Sequence, residues 1–126
     1  MPRLTDLEAN FLRWYERAPD EDERRLNTHW PADKMLDYFQ EVPTLAEAHG
    51  IMFICPKGLA AGDAHSIMVF FAGSSVPPRL GKNSKGVTVR WTASGTGLAD
   101  LTLTPSVQEE SGACLWHGHV TNGEAA

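Results

Sequence analysis

The sequence predicts an α+β fold in which two to three N-terminal helices lead into a compact, mostly antiparallel five-stranded sheet or small barrel. Two observations carry that reading. Before residue 50 the apolar side chains recur at helical spacing between capping signals; after it they fall into short runs closed by Gly, Pro, Ser and Asn. Charge divides at the same place, with eleven acids against six bases in residues 1–50 and five of each in 51–126. At 126 residues and 42% hydrophobic, the chain has the length of one domain, 1–126, made of an acidic helical part (1–49) and a β-rich part (50–126).

In chain order, Thr5 and Glu8 have the spacing of a capping box. Leu7, Phe11, Trp14, Tyr15 and Ala18 then follow at helical intervals until Pro19, predicting a helix over about 6–18. Asp20 to Arg25 has mixed charge and no apolar face, so it reads as a solvated helical turn or a loop. Pro31 and Pro43 bracket a second helix at about 32–41, carrying Met35, Leu36 and Phe39, and Thr44 to Glu47 before Gly50 signals a short third. Strands are expected at Ile51–Cys55, Ser66–Phe71, Val87–Thr92, Asp100–Thr104 and Cys114–Thr121. Alternation in the last run puts Cys114, Trp116 and Val120 on one face and Leu115, His117 and His119 on the other. Asn122-Gly123 then signals a hairpin with a stub of a return strand.

Two cysteines are too few for the disulfide framework of a small secreted domain. With no apolar run of bilayer length and an N-terminus too acidic for a signal peptide, the expected location is the cytoplasm, that of a bacterial host. The acidic balance argues against broad nucleic-acid binding. Thiolate and imidazole groups at Cys55, His65, Cys114 and His117 form a candidate ligand set, for which zinc is the fitting metal. The same cysteines beside a histidine would also suit a thiol hydrolase, the weakest of the alternatives. Arg79, Lys82, Lys85 and Arg90 make a basic, glycine-bearing stretch that could hold a phosphate, although it is not a Walker motif. In the acidic part Trp14, Glu21, Asp22, Glu23 and Trp30 are the candidate partner interface.

Ordered pieces of the β part carry a resemblance: Gly50 to Pro56, His65-Ser66, Trp91, Gly95 to Val107, Cys114 to Gly118 and Asn122 to Glu124. Over about 50–124 the chain resembles a family of short uncharacterised proteins of tailed phages and prophages. The resemblance implies an ancestral zinc arrangement with Cys55, Cys114 and His117 as survivors, Gly58 standing where a further cysteine is common. Small size, the absence of a catalytic signature and the acidic helical addition then lead to the expectation of a non-enzymatic phage or prophage accessory protein that binds a host protein complex or a small nucleotide ligand. Such a protein would inhibit a host defence system such as CRISPR-Cas, or sequester a nucleotide signal; the alternative is a zinc-stabilised structural module. A truncated last strand would leave a sheet edge for a homodimer to cover.

Overall fold

The computed structural model describes residues 2–109 and 114–126. A 3-10 turn at Leu4–Asp6 leads into β1 (Asn10–Arg17), α1 (Glu21–Leu26), β2 (Leu36–Val42), a 3-10 turn at Leu45–Glu47, β3 (Gly50–Ile54), α2 (Pro56–Ala60) and β4 (Ser66–Phe70). After a long connection come β5 (Thr92–Ser94), a 3-10 turn at Leu98–Asp100, β6 (Thr102–Thr104), β7 (Val107–Gln108), β8 (His117–Gly118), β9 (Val120–Thr121) and β10 (Glu124–Ala125). Among the described residues there are two short α-helices, and the strands form one four-stranded antiparallel sheet, ordered β2-β1-β3-β4, with two-stranded ladders β5/β6, β7/β8 and β9/β10. The α+β class holds. The expected N-terminal helices and single five-stranded sheet or barrel do not.

The first two expected helices are β1 and β2. Glu8 turns to φ 50, the Thr5 capping box does not form, and the chain extends from Asn10. Leu7 and Phe11 reach the same core from different conformations, which mimicked a helical period. Seven paired residues then match Phe11–Arg17 to Leu36–Val42, setting Trp14 opposite Phe39 and stacking Tyr15 on Tyr38 at 5.5 Å. Aromatic side chains gain more from such cross-strand partners than from an isolated helix. The α-helix lies instead in the mixed-charge stretch: the Asp20 carboxylate accepts from Glu23 N–H, and Glu23 accepts from Asp20 N–H, closing a capping box. The third expected helix is one 3-10 turn.

The later strands are short because Pro, Gly and Asn interrupt them every few residues. Val87–Thr92 enters a sheet only at its end: Val89 N–H bonds to Gly81 O, and Trp91 N–H bonds to Phe70 O at 3.0 Å. Asn122 (φ 48) and Gly123 (φ 82) make the expected tight hairpin, pairing Thr121 with Glu124. Gly123 is required twice over, since a Cβ there would lie 2.2 Å from Ala99 O.

One hydrophobic core gathers Leu4, Leu7 and Phe11 with Ile51, Phe53 and Val69 of the sheet and Leu101, Leu103, Val107, Trp116 and Val120 of the ladders. Because β1 lies between β2 and β3, the main sheet runs across the boundary at residue 50. Leu4 N–H also bonds to Gly123 O. Among the described residues no helix is long and apolar enough to cross a membrane.

Candidate active site

Alternation through Cys114–Val120 holds as expected, with Cys114, Trp116, Gly118 and Val120 buried and Leu115, His117 and His119 exposed. The four expected metal ligands are therefore split. Ligand atoms of Cys55, His65 and Cys114 lie within 4.8 Å of one another, but His117 points from the opposite face of its strand and stays outside the cluster. Burial pushes the Cys55 thiol above its ordinary range, although Gly58 N–H bonds to its sulfur. A thiol held protonated is a poor nucleophile, so the thiol-hydrolase reading loses its basis at Cys55. His65 Nδ1 is 2.9 Å from Asp63 O, and Nε2 is 2.7 Å from Oε1 of buried Glu109. The Glu109 carboxylate beside the ring, and then the Asp63 carbonyl, raise the His65 pKa, while Glu109 Oε2 lies buried without a hydrogen-bond partner.

The basic run does not converge. Arg79 is committed to Asp37 and Glu16 at 2.6 to 2.7 Å, and Arg90 donates to the carbonyls of Leu80, Val89 and Pro77. Lys82 lines a cleft described below, and Lys85 is exposed. The acidic candidates are largely used inside the fold. Glu23 accepts from Tyr38, Arg17 and Asp20, and these hydrogen bonds, that from the Asp20 backbone first, hold its carboxyl at about 2. Trp14 donates to Asp37 and Trp30 lies under Lys34, while Glu21 and Asp22 remain exposed and pair with Arg25.

The arrangement with chemistry in it is one the residue pattern did not single out. Ser106 precedes β7, and β7 pairs with β8 so that Val107 faces Gly118 and Gln108 faces His117. Val107 and Glu109 turn into the core, which sends the side chain at 106 to the outer side with His117. There Ser106 Oγ lies 2.8 Å from His117 Nε2, within the range of a nucleophile and its base. With the ring proton on Nδ1, the hydroxyl donates and Nε2 accepts. Among the described residues the pair stands as a serine and a histidine in contact. The backbone of Ser106 is itself anchored, because the Trp91 indole N–H donates to its carbonyl at 3.1 Å. Ser106 also lines a cleft of about 570 Å³, with Ser66, Met68 and Phe70 of β4, Trp91 and Gln108 among its other walls.

A second serine and histidine meet elsewhere. Ser75 Oγ is 3.4 Å from His49 Nε2, beside a pocket of about 510 Å³. Here Trp14 N–H donates to His49 Nδ1 at 3.0 Å, so the ring proton sits on Nε2 and points at the serine. Burial, then the Arg13 charge, lower the pKa of this imidazole. Its geometry is structural.

The signal for Ser106 in the sequence was weak. It stands in Leu-Thr-Pro-Ser-Val with none of the glycines of a nucleophile elbow, and its base is eleven residues on, across a ladder whose register the sequence does not announce.

Residues 27–126 match the model of a family described as bacterial ubiquitination-like system serine protease, BubE. No curated protein and no solved structure matches the chain. The family match overturns the expectation of a non-enzymatic phage accessory protein that inhibits a host defence system or sequesters a nucleotide. It also replaces a thiol by a serine as the hydrolytic nucleophile.

Proposed function

The chain belongs to the BubE family of bacterial ubiquitination-like system serine proteases, and from that premise we propose that Ser106 is its nucleophile and His117 its general base. The observation that carries this reading is the 2.8 Å contact between Ser106 Oγ and His117 Nε2 on the wall of a cleft, inside the matched region. Ser106 Oγ attacks the scissile carbonyl carbon while His117 Nε2 takes the hydroxyl proton. The same proton then passes to the leaving amine as the C–N bond breaks. Water cleaves the resulting ester, giving one proton to His117, which returns it to Ser106 as the acid product leaves. The substrate is a polypeptide of a ubiquitination-like system.

A fluorophosphonate probe tests the assignment. It should label wild-type protein at Ser106 by peptide mapping and fail to label Ser106→Ala. Labelling at Ser75 in place of Ser106, or no labelling of folded protein, overturns it.

We also propose that Cys55, His65 and Cys114 bind zinc, with Glu109 beside them as a fourth donor. Support comes from the donor set and from Glu109 Oε2, buried without a hydrogen-bond partner, which a cation would satisfy. The contact of His65 Nδ1 with Asp63 O fits a ring that donates there and turns Nε2 toward Glu109, the side on which a cation would be held. Bound zinc would stabilise the fold at the start of the segment that ends in His117. Metal analysis of protein purified without a metal-affinity step should return one zinc per chain. None bound, and no rise in unfolding temperature on adding zinc, would overturn this reading.

A further inference from the structure

Resting on the assignment of Ser106 as nucleophile, we propose that the substrate enters as an extended, proline-free strand that hydrogen-bonds to the outer edge of β4 beside the reactive serine. The register of β3 with β4 decides which way the backbone of β4 points. Cys55 N–H bonds to His65 O and Phe71 N–H to His49 O, both on the ladder in which Gly50 faces Phe70. The odd-numbered residues from 65 to 71 therefore bond to β3, and the N–H and C=O groups of Ser66, Met68 and Phe70 point away from it.

At Phe70 this outer edge is occupied, since Trp91 N–H bonds to Phe70 O and Ala72 N–H to Trp91 O. Among the described residues no backbone hydrogen bond reaches the outer edge at Ser66 or Met68. The open stretch is not masked by charge or proline, the usual protections of an edge strand. It forms one wall of the cleft that also contains Ser106 and Gln108.

The opposite wall has the same property. Glu109 N–H bonds to Trp116 O, so β7 alternates in step with β8, and Gln108 turns its N–H away from β8, to the side on which Trp91 reaches the Ser106 carbonyl. An extended chain in this cleft meets, on both sides, backbone groups without a partner among the described residues, and the Ser106 hydroxyl beside them. Strand addition supplies affinity through main-chain hydrogen bonds and leaves side-chain choice to the walls. Met68, Phe70 and Trp91 give those walls apolar patches among polar side chains that include Lys82, Asn83 and Gln108.

The test uses a pool of fluorogenic heptapeptide amides with the wild-type protein. The best-cleaved member is remade with one N-methyl group at each backbone nitrogen in turn. Methylation at one nitrogen, or at alternate nitrogens two residues apart, should lower kcat/KM about tenfold or more through KM, with the intervening positions tolerant. Met68→Pro removes an outward N–H without touching the bonds to β3, and should lower kcat/KM for the parent peptide to a similar degree. Uniform tolerance of N-methylation overturns the proposal, as does a folded Met68→Pro that cleaves like wild type. So does a pool with no cleaved member on protein whose Ser106 reacts with fluorophosphonate. If Met68→Pro does not fold, the methylation scan on the native chain decides. Absence of labelling at Ser106 is a separate result, which removes the nucleophile itself.

Discussion

Ser106 with His117 and Ser75 with His49 pair the same two side chains through Nε2, at 2.8 and 3.4 Å, yet among the described residues only the His49 ring is held at its far nitrogen. His49 receives a backbone N–H at Nδ1, which fixes its proton on Nε2 and turns the ring into a donor toward Ser75. His117 has no such partner among the described residues and leaves Nε2 able to accept. A serine beside a histidine is thus no site by itself; what the far nitrogen meets decides whether the near one can take a proton.

The largest expected effect is on the nucleophile. Ser106→Ala should lower kcat/KM for peptide cleavage on the order of 10⁴-fold, whereas Ser75→Ala should change it by less than about twofold. Equal losses in assays of the two variants would erase the distinction. The histidines sharpen it along a second axis. His117→Gln should cost roughly 10³-fold in kcat/KM with little change in unfolding midpoint. His49→Ala should retain cleavage and lose about 1 kcal/mol in denaturant unfolding, because Trp14 N–H is left without its acceptor.

The smallest effect is in pH. The folded protein holds His49 below its ordinary value, so the unfolded chain takes up that proton first as pH falls. The stability due to neutral His49 is fully present above about 6.5, the unfolded value, and is lost as pH falls through the lower folded value. Unfolding free energy followed from pH 8 to 5 should therefore fall less steeply on the acid side in His49→Ala than in wild type. Parallel curves would mean that burial does not keep this ring neutral.

What the sequence made legible were features that depend on near neighbours. The runs at β3 and β4, the Asn122-Gly123 hairpin and the alternation from Cys114 to Val120 all follow from adjacent residue types. That alternation already turned His117 outward and Cys114 inward, which is why a ligand set containing both could not survive folding. The misread elements depended on partners far along the chain. Trp14 and Tyr15 satisfy a helical period locally and become a strand because Phe39 and Tyr38 lie across from them. Ser106 was hidden for the same reason: its role exists only once β7 and β8 are in register.

Trp91 ties these parts together. Its backbone closes the far end of the β4 edge while its indole holds the Ser106 carbonyl. The protein thereby contains its own optical gauge of the active site. With Trp14, Trp30 and Trp116 changed to Phe, the emission of the remaining indole would report, without any added dye, whether the loop bearing the nucleophile is seated.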